Sequence, residues 1–297
     1  MSQNRKVGFA GLGRMGRPMA SNLVASGFDV VVHNRTLSKA EDFAGETGAA
    51  VAATPRELAE GCEVVITMLA DGPALVAAYE GDDGMVAGMG PGSVGVDMGT
   101  SGPGDVTRVR TMVEGAGARL VDAPVSGSTP AAEAGTLLVM VGGSAEDYAI
   151  VEPILAAVGN PEHVGPAGSA ATLKLAVNSI LYGVNEALAE AVILSERSGV
   201  DPEKVLDIVS RSAAGAPMVA YRMPQYLDPD HNPITFTMDL AAKDLRLTLD
   251  HAADLGLTMP QAERTLDTVE ALIDAGYGDR DLGFVIEGAR RAQQGGS

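Results

Sequence analysis

The stretch Val7-Gly8-Phe9-Ala10-Gly11-Leu12-Gly13-Arg14-Met15-Gly16-Arg17-Pro18-Met19-Ala20-Ser21-Asn22-Leu23 decides the fold of this chain. A short apolar run leads into a G-x-G-x-x-G turn, and a helix-compatible segment follows. Each glycine has its own task in a strand-to-helix turn that binds a dinucleotide. Gly11 permits the tight turn, Gly13 lets backbone approach a pyrophosphate, and Gly16 lets the helix pack closely on the strand. The pyrophosphate then rests on free N–H groups at the positive end of the helix dipole. A glycine triplet alone is weak in a chain with 37 glycines; its position between a strand pattern and a helix pattern gives it weight.

Outward from that turn, the next apolar run, Phe28–Val32, ends at His33-Asn34-Arg35-Thr36. An NAD site places a carboxylate here for the ribose 2′-hydroxyl. This chain has none at the strand end. A guanidinium grips a 2′-phosphate that a carboxylate would repel, so the expected cofactor is NADP(H), preferred over NAD(H). Arg35 is its main 2′-phosphate ligand, flanked by Asn34 and Thr36. The competing reading of Arg35 is an ordinary solvated arginine.

Up to about residue 165 the chain alternates β-rich runs with helical segments. The expected strands are 7–10, 28–32, 64–69, 94–97, 119–122 and 137–141. This βαβ rhythm predicts an α/β fold, an N-terminal Rossmann-type doubly wound parallel sheet with right-handed crossovers. Ligands of such sheets lie beyond the carboxyl ends of the strands. Candidate cofactor contacts therefore close or follow strands: Gly11, Gly13, Arg14, Met15 and Gly16; Asn34, Arg35 and Thr36; Met68, Leu69 and Ala70; and Thr100. Past Gly165-Pro166 the character turns helical. A long interdomain helix over about 167–197 opens an all-helical C-terminal domain, with further helices at 202–212, 237–255 and 261–275. The expected division is 1–165 and 166–297, and Gln293–Ser297 reads as a frayed tail.

Composition narrows the function. The net charge of −18 argues against nucleic acid or an anionic membrane as partner. The chain has no run of 18 uncharged apolar residues, and Leu175–Leu194 contains Glu186 and Glu190, so no membrane span is expected. Met1–Lys6 runs into the first strand without a signal-peptide apolar region. Cys62 is the only cysteine and reads as a small buried residue, which points to a reducing, cytoplasmic location. Four scattered histidines give no metal-ligand spacing.

Three further constellations carry possible chemistry. On the long helix Lys174, Asn178 and Asn185 fall on one narrow arc amid apolar residues. A buried cation there requires a partner, while a lysine at the helix edge would simply reach out to water. Ser126, Gly127 and Ser128 follow a strand and precede Pro130; their N–H groups would form a carboxylate-binding nest or an ordinary capped turn. Lys243-Asp244 lies in a helical segment, where such a pair is usually a solvated face.

Together these residues resemble the β-hydroxyacid dehydrogenase family, which includes 3-hydroxyisobutyrate dehydrogenases and tartronate, glyoxylate and succinic semialdehyde reductases. The resemblance covers nearly the whole chain through four ordered motifs: G-F-A-G-L-G-R-M-G at 8–16, D-A-P-V-S-G at 122–127, G-x-A-G-x-x-x-x-x-K-x-x-x-N at 165–178, and K-D-L at 243–245. It implies Lys174 as catalytic acid/base with Asn178 as its substrate-binding partner. It also implies Ser126 and Gly127 as carboxylate anchors, and Thr100 and Lys243 as residues lining the nicotinamide and substrate pocket. The implied enzyme is an NADP-dependent hydroxyacid dehydrogenase or semialdehyde reductase, a homodimer or homotetramer acting on a small carboxylate-bearing carbonyl or hydroxy compound. Ser128 stands where many relatives have glycine, and Gly99 where serine is common, which leaves the substrate open. Alternatives are an imine reductase on the same scaffold, which Lys174 disfavours, and a non-catalytic NADP-binding relative.

Overall fold

The structure is a computed structural model, and it describes residues 5–294. Two compact units divide the chain, Met1–Lys174 and Leu175–Ser297.

The first unit is built on one nine-stranded sheet. Its strands are β1 (Lys6–Ala10), β2 (Asp29–His33), β3 (Ala50–Val51), β4 (Val64–Thr67), β5 (Val94–Asp97), β6 (Arg119–Asp122), β7 (Val125–Ser126), β8 (Leu137–Gly142) and β9 (Gly159–Gly165). They lie in the order β3-β2-β1-β4-β5-β6-β8-β7, with β9 on β8. Strand order reverses between β1 and β4, the switch point where such sheets take ligands. From β3 through β6 every pairing is parallel, so those strands end at one edge.

Successive residues of the central strands feed opposite faces, as a period of two requires. Phe9, Val32, Ile66, Val96 and Val121 pack on one face with Met19, Leu23, Phe43 and Ile154. Ala10, Val31, Val65 and Leu120 pack on the other with Leu58, Leu75, Tyr79 and Val109. Helices cover both faces, which explains why the strands read as continuous apolar runs. Cys62 lies in the second of these clusters, where burial pushes its thiol up to about 11.

The sheet departs from the expectation at its far end. β8 runs antiparallel to β6 and β7. The chain from Ala123 to Thr136 holds only a two-residue strand and the five-residue helix Thr129–Glu133, too little for a parallel crossover helix. β9, glycine-bounded and polar (G-N-P-E-H-V-G), pairs in parallel with β8 as an edge strand.

The second unit is helical. Its long helix runs from Ser169 to Arg197 and starts within the first unit. The unit boundary falls at 174/175, inside this helix, because its first turn packs into the sheet unit through Ala171. Helices follow at Pro202–Arg211, Pro217–Tyr221, Met223–Leu227, Met238–Asp254 and Pro260–Leu272, then a π turn at Ile273–Tyr277 and a last helix at Val285–Gln294. Pro202 and Pro260 open their helices, where a missing N–H costs nothing, and Asp201 caps the former through the Glu203 N–H. The last expected helix stops at Leu272, short of 275, and Gly276 at φ 90° breaks the π turn beyond it.

By length and composition alone the long helix is apolar enough to cross a membrane. Tyr182, Leu188, Ala189 and Val192 on it are instead buried in the core of the second unit with Leu206, Val219, Leu245 and Phe284. Of the expected tail, Gln293 and Gln294 end the last helix, and 295–297 lie outside the described residues.

Candidate functional site

The carboxyl edge of the parallel strands collects most of the candidates. Gly11–Gly16 leave β1, Asn34–Thr36 leave β2, Met68–Ala70 leave β4, and Gly99-Thr100 leave β5. Gly11 has φ 100°, and its N–H donates to the His33 carbonyl at 3.0 Å. A Cβ at Gly16 would overlap the Gly11 carbonyl, whereas one at Gly13 would meet nothing within 4 Å. Two of the glycines are therefore required by the turn itself. The third leaves open room over the start of the helix Gly16–Ala25, as an approaching pyrophosphate needs.

Asn34 ties the two loops together. Its Oδ1 accepts the Leu12 N–H at 3.0 Å and its Nδ2 donates to the Thr36 carbonyl at 2.9 Å. Arg35 is exposed. Thr36 starts the helix Leu37–Thr47 without a side-chain cap.

The Ser126–Ser128 turn joins this edge through Thr129 and Asn22, neither of them a candidate from the sequence. The Thr129 hydroxyl reaches Met15 Sδ at 3.9 Å, and Asn22 on the glycine-loop helix donates to the Ala132 carbonyl at 2.7 Å. Gly127 has φ 145°, and a Cβ there would press on Leu137 Cδ2 at 2.7 Å. The Ser128 side chain caps nothing. Backbone N–H groups of Gly127 and Ser128 donate no hydrogen bond among the described residues, which leaves them available to a carboxylate.

Two buried carboxylates stand side by side behind this edge, paired in register at the ends of β5 and β6. Asp97, 2% exposed, accepts from Thr67 Oγ1 at 3.1 Å and the Gly99 N–H at 3.2 Å. Burial raises its carboxyl to about 6, aided by Asp122 and opposed by bonds from Gly99, Ser101 and Thr67. It thereby fastens the loop that carries Thr100. Asp122, 1% exposed, accepts from the Gly168 N–H at 2.7 Å and the Ala171 N–H at 2.9 Å, and pairs with Arg110 at 3.5 Å. It caps the long helix one turn before Lys174, a partly buried residue.

In the second unit Asn178 is buried and donates to Asp244 Oδ2 at 2.7 Å. Tyr182 donates to the same oxygen at 2.6 Å, and Lys243 Nζ lies 3.0 Å from Asp244 Oδ1. The Lys243-Asp244 pair is thus no solvated face. Asp244 is 1% exposed, and burial together with this carboxylate pushes the Tyr182 hydroxyl well above its ordinary value. Asn185 shares the helix arc, but its amide is structural: it accepts from Tyr226 at 2.7 Å and donates to the Leu282 carbonyl at 3.2 Å. Tyr182 left no mark in the sequence, and Asp244 entered only as the neighbour of Lys243 in the K-D-L motif, because neither spacing nor residue type shows which polar groups are buried.

A glycine-rich turn at the switch point of a doubly wound sheet, followed by a helical unit, defines a nicotinamide-dinucleotide-dependent oxidoreductase. Residues 6–173 match the NAD binding domain of 6-phosphogluconate dehydrogenase, and residues 168–287 match the NAD-binding domain of NADP-dependent 3-hydroxyisobutyrate dehydrogenase. The chain belongs to the β-hydroxyacid dehydrogenase family. It is 32% identical to glyoxylate/succinic semialdehyde reductase 2, chloroplastic, of Arabidopsis thaliana, over 97% of this chain and 80% of that protein. Among solved structures it resembles a 3-hydroxyisobutyrate dehydrogenase of Mycobacterium tuberculosis with L-serine, at 29% identity and a TM-score of 0.84 over 96% of this chain and 98% of that one. A structure described as Psf3 in complex with NADP+ and 2-OPP matches at 25% identity and a TM-score of 0.84, over 95% and 99%.

Proposed function

We propose that this chain interconverts a small β-hydroxyacid (3-hydroxyisobutyrate-like), or a related hydroxyacid, with its semialdehyde or ketoacid. NADP(H) serves in preference to NAD(H), and Lys174 acts as general acid/base. One observation carries the reading. The helix bearing Lys174 has its first turn held by Asp122, on the sheet edge that also presents Gly13, Arg35 and Thr100.

Arg35 holds the 2′-phosphate by paired charge-assisted bonds, with Asn34 and Thr36 shaping the loop and Gly13 admitting the pyrophosphate. The bound nicotinamide supplies the hydride. Lys174 gives its proton to the carbonyl oxygen as the substrate is reduced, and takes it back from the hydroxyl in reverse. Ser126, Gly127 and Ser128 orient the substrate carboxylate through N–H and hydroxyl donors. Asn178 binds the substrate beside the lysine, and Thr100 and Lys243 line the pocket. The names of the relatives support this substrate class, since glyoxylate, succinic semialdehyde and L-serine each join a carboxylate to a carbonyl or hydroxyl. A homodimer or homotetramer belongs to the proposal through the family. A reducing, cytoplasmic location belongs to it through the single buried thiol, Cys62.

The test follows NADPH oxidation against semialdehydes, glyoxylate and cyclic imines, with NADH run in parallel. Semialdehyde or glyoxylate reduction favouring NADPH is expected, and turnover of cyclic imines alone would move the assignment to imine reduction. Lys174→Ala should lose turnover while binding NADPH nearly as before; unchanged turnover removes the acid/base role. Arg35→Asp should lose the NADPH preference, and a preference that survives rules Arg35 out as the 2′-phosphate ligand.

A further inference from the structure

We propose that Asp122, held by Arg110, is the positioning residue that sets where Lys174 stands. The proposal rests on the acid/base reading of Lys174 and adds to it what holds the lysine in place.

A helix start leaves its first N–H groups without partners inside the helix. At the long helix they are met from the sheet. Asp122, last residue of β6, places Oδ1 on the Gly168 N–H and Oδ2 on the Ala171 N–H. The fit is built from several sides. Gly168 reaches Oδ1 from φ 93°, a conformation that favours glycine. Gly142 faces Asp122 across the β6–β8 pair, and a Cβ there would lie 2.7 Å from Oδ2 and 2.8 Å from Oδ1. Arg110, itself largely buried, steadies the carboxylate from the helix Pro103–Gly115. Ala171 and Lys174 are three apart, neighbours on one helix surface. The two ordered motifs D-A-P-V-S-G and G-x-A-G-x-x-x-x-x-K thus meet physically: the aspartate of the first grips the second glycine of the other, six residues before the lysine.

Acid/base catalysis depends on placement, and a shift of the reacting group by about 1 Å can cost about 100-fold in rate. Without Asp122 the first turn keeps its apolar footing through Ala171 but loses the bonds that fix its height and rotation over the sheet edge.

The experiment compares Asp122→Ala, Asp122→Asn and Gly142→Ala with the unaltered enzyme. The readouts are kcat, KM, NADPH affinity from nucleotide fluorescence, and the solvent deuterium isotope effect on kcat. Asp122→Ala is expected to lower kcat about 100-fold, and the isosteric Asp122→Asn, which keeps one acceptor, about 10-fold. NADPH affinity stays within about threefold, since none of the groups on the glycine loop is altered. The solvent isotope effect rises as proton donation becomes limiting. A purely structural role predicts a lower Tm with unchanged kcat and isotope effect in the folded enzyme, and that result overturns the proposal. Should Asp122→Ala fail to fold, Gly142→Ala decides, because it displaces the carboxylate while keeping every polar group; unaltered kcat there overturns it equally. Lys174→Ala separates the two readings. Turnover surviving in that variant removes the acid/base role itself. Turnover lost there but intact in Asp122→Ala removes the positioning role alone.

Discussion

Replacing Asp244 with alanine removes the oxygen that Asn178 and Tyr182 share, together with one ion-pair partner of Lys243. The carboxylate is essentially inaccessible, so the stranded donors have no easy route to water. Leaving a buried neutral donor unsatisfied costs about 1–3 kcal/mol each, and breaking a buried ion pair about 3–5 kcal/mol. Lys243 is about a quarter exposed and can turn its ammonium to solvent, so the ion-pair share shrinks. The expected loss is about 3–5 kcal/mol for Asp244→Ala and roughly half that for Asp244→Asn, which keeps an acceptor. Urea unfolding followed by tyrosine near-UV circular dichroism suits the measurement, because Tyr182, Tyr221, Tyr226 and Tyr277 lie in this unit and the chain has no tryptophan. A double-mutant cycle with Tyr182→Phe should give a coupling of about 1 kcal/mol or more. Additive losses, or a loss below about 1 kcal/mol for Asp244→Ala, would refute the idea that one buried carboxylate organises Asn178, Tyr182 and Lys243.

Two further outcomes follow from the sheet unit. Gly13→Ala should leave Tm nearly unchanged while weakening dinucleotide binding. Gly16→Ala, whose Cβ overlaps the Gly11 carbonyl, should destabilise by about 1–3 kcal/mol; equal Tm values in the two variants would contradict this division of roles. Asp97, raised to about 6 from 3.8 when folded, holds its proton where the unfolded chain has released it. Its contribution is fully present below about pH 4, declines as pH rises, and is exhausted above about pH 6, a change of roughly 3 kcal/mol. Chemical denaturation at several pH values should therefore show Asp97→Asn gaining on the unaltered protein between pH 4 and 6, and a pH-independent difference would rule the shift out.

Much of the fold was legible in the chain because the central strands are buried on both faces and read as apolar runs between glycines. The runs at 7–10, 94–97 and 119–122 fall within a residue of β1, β5 and β6. What escaped was short or polar: β3 and β7 have two residues each, and β9 is an edge strand with glycine, proline and histidine in it. The reversal of β8 was hidden as well, because strand direction depends on the connection and not on the strand's own residues.

The glycine spacing, the lack of an acid after β2, and the lysine and asparagine one turn apart on a long helix were fixed in the sequence, since each is a matter of residue type at a local interval. Tertiary structure alone decided which polar groups lost their water. Asp97, Asp122 and Asp244 look like any other acid among 39. Burial and partners drawn from distant segments make them the fasteners of Thr100, of the Lys174 helix and of Asn178, and a pattern of neighbours along the chain carries no record of such partners.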